Sequence, residues 1–260
     1  MPMRVSSAVA TDPGLRRDSN EDSYCVRPDL GLYMVADGMG GHAAGEVASR
    51  MAVETIEAFI NDTRDADVNR TWPFPYDTAL SLDGNRIKAA FRLANRRVAA
   101  AIENDDALRG MATTAVAILV AKGVPVVAHV GDSRAYMLRE GQLKQLTQDH
   151  SWVGEQVRAG MLSEADARRH PWRNVVTRAI AGGDDPEIEV HELPLQPGDR
   201  IVICCDGLSA VVAPEKFDAI IRTTAPLEEI CKTFIAAAID AGGPDNITVV
   251  MADVGQPDVA

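Results

Sequence analysis

Between residues 112 and 146 the chain alternates short apolar runs with turns too brief to cross a sheet. The turns are Lys122-Gly123, the Gly131-Asp132-Ser133 corner and Glu140-Gly141. Connections of that length pair neighbouring strands antiparallel, because a parallel partner needs a crossover of a dozen or more residues. Further strand-like runs occupy residues 6–11, 22–27 and 30–36, then 187–193, 200–205 and 247–254. Helical periodicity is confined to two neighbouring pairs. The first covers residues 45–60, where Ala48, Met51, Ala52, Thr55, Ile56 and Phe59 form one stripe, and a stretch from Ile87 to Ile102. The second covers 214–222 and 226–241, closed by Gly242-Gly243. Strands in hairpin groups and helices in pairs predict an α+β fold, not alternating α/β.

A chain of 260 residues without a Gly/Ser linker or internal repeat is expected to form one domain, residues 1–254, with 255–260 as a tail. Residues 61–85 read as a long polar loop, and 148–183 as short helices and loop. Acidic residues outnumber basic ones 38 to 26, giving a formal charge of −12. That field repels polyanions, so nucleic acid and anionic membrane are not expected partners. No apolar run reaches the roughly 18 residues of a membrane span, and no leader pattern opens the chain. Cys25, Cys204, Cys205 and Cys231 make neither a C-x-x-C pair nor a disulfide framework. A soluble cytoplasmic protein is the expectation.

Aspartate recurs at the ends of the strand-like runs. Residues 32–36 lead into Asp37-Gly38, 126–130 into Gly131-Asp132, and 200–205 into Asp206-Gly207, while Asp245-Asn246 precedes the last strand. Asn20-Glu21-Asp22 stands at the start of another. Any one of these is an ordinary turn former. Together, if the strand ends converge, they crowd several carboxylates into one volume. Two unit charges about 4 Å apart repel by roughly 4 kcal/mol at an effective dielectric of 20. Such a cluster protonates or binds cations. Oxygen ligands without histidine or cysteine favour Mg²⁺ or Mn²⁺ over zinc, and a pair of such ions is a common device for hydrolysing phosphate esters.

The motifs Arg17-x-x-Asn20-Glu21-Asp22, Val35-Ala36-Asp37-Gly38-Met39-Gly40-Gly41-His42, Gly131-Asp132-Ser133-Arg134, Cys205-Asp206-Gly207-Leu208 and Gly243-Pro244-Asp245-Asn246-Ile247-Thr248 occur in that order. In this order the chain resembles bacterial members of the protein phosphatase 2C (PPM) family. The resemblance implies two antiparallel sheets packed as a sandwich and flanked by helix pairs (αββα), and hydrolysis of phosphoserine and phosphothreonine in proteins by a metal-bridged water. It implies Mn²⁺ or Mg²⁺, two ions or three. Asp37 would bridge two of them with the Gly38 carbonyl on the first, and Asp206 and Asp245 would hold the second. Glu21 would act through a bound water with Asp22 behind it, and Asp132 would serve a third, weaker site. Arg17 matches the arginine that clamps the substrate phosphate, with a surface arginine as the ordinary alternative. Many eukaryotic members carry histidine directly after Asp-Gly, where this chain has Met39. His42 takes its place as the candidate general acid, with metal-bound water as the competing donor. Residues 148–183 match the family's variable flap. A serine/threonine kinase or its targets are the implied partners, and a monomer the implied state.

Other chemistries fit less well. Gly38-x-Gly40-x-x-Ala43 loosely matches a dinucleotide fingerprint, but Asp37 would repel a pyrophosphate. A cysteine phosphatase needs arginine six positions after its nucleophile, and those positions hold Gly31, Ala210, Val211 and Ala237. Two alternatives stay open: a catalytically weak module that binds phosphoproteins, and a two-metal hydrolase of small phosphate esters.

Overall fold

The computed structural model describes residues 3–40, 44–65, 72–121 and 124–256. Two antiparallel sheets form its centre. The first runs in the order β1 (Val5–Asp12), β11 (Ile247–Val254), β10 (Arg200–Cys204), β7 (Arg134–Arg139) and β8 (Gln142–Gln145). The second runs β2 (Asp22–Arg27), β3 (Leu32–Met39), β5 (Ala115–Leu119), β6 (Val126–Val130) and β9 (Glu189–Glu192), with the short β4 (Ala112–Thr113) on the end of β3. Two helices, α1 (Ala44–Asp62) and α2 (Leu82–Asn104), cover the second sheet. On the other side α6 (Pro214–Ile221) and α7 (Leu227–Asp240) cover the first. The expected αββα sandwich is the architecture found.

The central strands read as unbroken apolar runs because both of their faces are covered, and the two-residue period sorts the side chains. In β3, Leu32, Met34 and Ala36 face α1 and α2, while Tyr33 and Val35 face the other sheet. In β10, Val202 and Cys204 lie under α6 and α7, while Ile201 and Ile203, with Cys205 just beyond the strand, point between the sheets. Burying a side chain such as Ile203 contributes about 1.5–3 kcal/mol, so the three core layers hold the strands to one register. A one-residue slip would exchange the layers.

The helices bury the stripes their spacing announces. Ala48, Ala52, Ile56 and Ile60 of α1 meet Ile87, Ala90, Phe91 and Ala94 of α2 in one cluster. Ser81 caps α2 by accepting the Gly84 amide at 3.2 Å. The stretch read as a loop over 61–85 is shorter than expected, since α1 continues to Asp62 and α2 begins at Leu82. Two more helices, α3 (Trp152–Arg158) and α4 (Glu164–Ala167), lie in the 148–183 segment. One isolated bridge, Ser151 with Val176, joins its two arms, and another, Thr113 with Ile180, ties its far end to the β4 strand. A one-turn helix, α5 (Asp206–Ser209), follows β10 directly.

Candidate metal centre

Asp22 and Asp37 stand directly opposite each other in the β2–β3 ladder. Asp37 therefore lies inside its strand, two residues before the end, and not beyond it as the sequence suggests. Its carboxyl is pushed well above the usual range, first by loss of hydration and then by the charges of Asp22, Asp206, Asp132 and Asp245. Burial likewise raises Asp22 to about 7 and Asp132 to about 8, with Asp206 adding to both. Asp206 is also raised, by lost hydration and by Asp245, against a hydrogen bond with Asp37 that opposes the shift. Two carboxylates on paired strands of the second sheet thus meet others held just outside β6, β10 and β11, and each makes the next harder to ionise.

The backbone around them is fixed by close approach. Gly38 has no room for a side chain, because a Cβ would strike the carbonyl oxygens of Gly45 and Glu21. Its amide donates to the Glu21 carbonyl at 3.2 Å. Ser49 on α1 donates to the same carbonyl at 2.6 Å. The Asp37 carbonyl accepts from the Thr114 amide at 2.9 Å and the Thr113 hydroxyl at 2.8 Å. Asn246 does the same for the opening loop. Its Oδ1 accepts the Glu21 amide at 2.7 Å, and its Nδ2 donates to the carbonyls of Pro13 and Ser19 at 2.9 and 2.8 Å. Arg17 and Asp245 pair at 2.8 Å, with half of the Arg17 side chain exposed.

All the acidic candidates, Glu21, Asp22, Asp37, Asp132, Asp206 and Asp245, belong to this one constellation, as do Gly38 and Arg17. His42 lies outside the described residues. Four contributors have roles that the sequence alone did not assign. Asn246 holds the Glu21 amide, Thr248 donates to Asp22 Oδ2 at 2.6 Å, and Cys205 places its Sγ within 4.8 Å of the Asp22 and Asp37 carboxylates. The fourth, Arg134, forks onto Asp149 at 2.9 and 2.6 Å, which joins the Asp132 corner to the start of the 148–183 segment. All four stood in motifs already noted; nothing in the sequence marked their partners.

The residues fit divalent cations. Asp22 Oδ1 is buried with no hydrogen-bond partner, a costly arrangement for a carboxylate oxygen unless a proton or a cation satisfies it. Four further carboxylates supply hard oxygen donors. A family model described as protein phosphatase 2C matches residues 15–238. The chain belongs to the protein phosphatase 2C family. It is 36% identical over 249 residues to the serine/threonine phosphatase stp of Listeria welshimeri, covering 94% of this chain and 93% of that one. Its match to the serine/threonine protein phosphatase PstP of Mycobacterium tuberculosis is 37% over 248 residues, which is 95% of this chain and 44% of PstP. The crystal structure of the M. tuberculosis phosphatase PstP/Ppp superposes with a TM-score of 0.83 at 36% identity, over 97% of this chain and 99% of that one. A structure of the PstP catalytic domain in complex with two manganese ions gives 0.81 at 35%, over 98% and 100%. Membership makes this chain a metal-dependent serine/threonine phosphatase with a manganese or magnesium centre.

Proposed function

We propose that this chain removes phosphate from phosphoserine and phosphothreonine in proteins at the centre built on Asp37, and that its residues divide the work as follows. Asp37, Asp206, Asp245 and the Gly38 carbonyl would hold the two principal cations, Asp132 a third, and Glu21 would act through water with Asp22 behind it. When bound, divalent cations would lower the pKa of a water and neutralise charge on the phosphate. The chain's own groups do the rest. Thr248 and Asn246 orient Asp22 and Glu21 through the hydrogen bonds described above. Arg17 takes the phosphate oxygens, for which its planar fork is suited. His42 gives the leaving seryl or threonyl oxygen its proton, with water at the metal centre as the competing donor.

The observation that carries the reading is the buried, unpartnered Asp22 Oδ1 at the middle of a carboxylate cluster. The partner class follows from the reaction: phosphoproteins, with a serine/threonine kinase or its targets foremost. The chain acts as a single cytoplasmic monomer with residues 148–183 as a flap beside the site. In keeping with this, no helix among the described residues is long and apolar enough to cross a membrane. Phosphate release from a panel of phosphopeptides, nucleotides and sugar phosphates, each with and without Mn²⁺, tests the proposal. Cation-dependent release from phosphopeptides is expected. Faster turnover of nucleotides or sugar phosphates would replace it with a small-ester hydrolase, and no turnover at all with a binding module.

A further inference from the structure

A cleft of about 430 Å³ separates the 148–183 segment from the carboxylate cluster. Asp132 and Asp206 line it, and so do Arg158, Arg168 and Arg173 from the 148–183 segment. A cleft this size holds several side chains of a bound peptide. What sets it apart is unspent positive charge on a molecule whose formal charge is −12. Arg158 donates from Nη1 to the Asp149 carbonyl at 2.9 Å, which aims its guanidinium without neutralising it. The Asp149 carboxylate is already committed to the fork of Arg134. Arg168 and Arg173 are exposed and make no ion pair among the described residues. Glu164, which also lines the cleft, pairs with neither.

Solubility does not account for this placement, since scattered acidic residues already give the chain a large net charge. Arginine is also the side chain best matched to carboxylate and phosphate oxygens. An extended peptide advances about 3.3 Å per residue. With its phosphoresidue at the cluster, its neighbours run past these three side chains within a few positions.

We propose that Arg158, Arg168 and Arg173 form a subsite for a second anionic side chain, a carboxylate or a phosphate, flanking the residue being dephosphorylated. The subsite rests on the phosphoprotein reading above. It makes this enzyme prefer acidic or multiply phosphorylated sequences.

The test uses a phosphothreonine peptide with neutral flanks, and variants carrying one aspartate, or one non-hydrolysable phosphonate analogue of phosphothreonine, at each of the five positions on either side. The readout is kcat/KM relative to the neutral peptide. The expected ratio at the best position is about tenfold or more for the phosphonate, in line with charge-assisted pairing, smaller for aspartate, and lower at high salt. In Arg168→Glu/Arg173→Glu, two exposed changes that leave the core untouched, the preference should reverse toward lysine-flanked peptides. Arg158→Gln should lower the ratio without reversing it. A wild-type ratio near one at every position overturns the subsite, as does a ratio that the reversal leaves unchanged. Absence of turnover on the neutral peptide would overturn the phosphatase reading itself, and the subsite with it. Turnover without preference overturns the subsite alone.

Discussion

His150 accepts the Gly131 amide at its Nδ1, over 3.1 Å, one residue before Asp132. Its Nε2 lies 3.0 Å from Glu189 Oε1 and donates to it, so the ring is neutral and its tautomer is fixed. Its own amide donates to the Gly131 carbonyl at 2.9 Å, and its carbonyl accepts from Thr177 at 2.8 Å. One histidine thus ties the β6–β7 corner to both arms of the 148–183 segment. Gly131 needs this support, because it sits at φ +103° with its open side against Thr114.

An asparagine at 150 can present an oxygen where Nδ1 stands, and a glutamine can reach only the Nε2 position. His150→Asn should therefore keep Mn²⁺ affinity and kcat within about threefold, while His150→Gln should lower both by about tenfold, the usual cost of losing an outer orienting group. Manganese titration and steady-state kinetics on the two variants decide it. Equal losses would mean that the ring matters only as packing.

Stability should fall with acid through the stacked pair His129 and His150. Burial pushes His129 down to about 4, and His150 is also lowered, against the opposing pull of Glu189. His191 faces His129, while Arg178 and Arg158 act on His150. An unfolded histidine takes its proton near 6.5. Between 6.5 and 4 the unfolded chain therefore holds the extra proton, and stability drops as pH falls through that window. From pH 6.5 to 5 the loss through His129 is on the order of 2 kcal/mol. Thermal melts of wild type and His129→Gln across this range, both in Mn²⁺, should show a shallower slope in the variant.

The carboxylates carry the opposite sign in metal-free protein. Asp22 at about 7 and Asp132 at about 8 retain protons that the unfolded chain sheds near 4. Their contribution is present below 4 and is lost as pH rises through 7 to 8. Asp37→Asn should abolish turnover yet raise the melting temperature in chelator, most of all above pH 8, because one repelling charge is gone. Asp206→Ala should behave alike. Chelator should silence the wild type and Mn²⁺ restore it, with a higher melting temperature. Full activity after exhaustive chelation would remove the metal mechanism.

Arg17→Ala should raise KM for a phosphopeptide severalfold or more, with any fall in kcat reporting contact made only in the transition state. Arg17→Lys should recover part of the loss, since charge returns without the fork. An unchanged KM in both would make Arg17 a structural partner of Asp245.

His42→Ala should lower kcat on phosphopeptide by roughly 10²-fold or more if the imidazole protonates the leaving group. On p-nitrophenyl phosphate, whose leaving group departs without a proton, the loss should shrink. Equal losses on both substrates would indicate a structural role, and none on the peptide would assign the proton to water.

The strand set was legible because β3, β5, β10 and β11 are buried on both faces and so read as continuous apolar runs. The carboxylate cluster was legible because its aspartates sit in short local motifs. Long-range partners were not. Asn246 meets Glu21 across 225 positions, and no local spacing encodes that. Nor does the pattern show that β3 continues past Asp37, since pairing with β2 and β4 sets its length. The Trp72–Pro75 turn also needed the fold: Phe74 is buried, with the Arg96 guanidinium 4.1 Å from its ring centre. A polar stretch with two prolines gives no hint of that docking.

β1 pairs with β11 over all eight of its residues, from Val5 against Val254 to Asp12 against Ile247. During synthesis β1 leaves the ribosome before every other described strand and waits for all of them before its neighbour exists. Asp245, the partner of Arg17, and Asn246, which holds the Glu21 amide, arrive with that same neighbour. Until β11 is released, a nascent chain therefore lacks the Asn246 hold on the Glu21 loop, and β1 keeps an edge without its ladder partner.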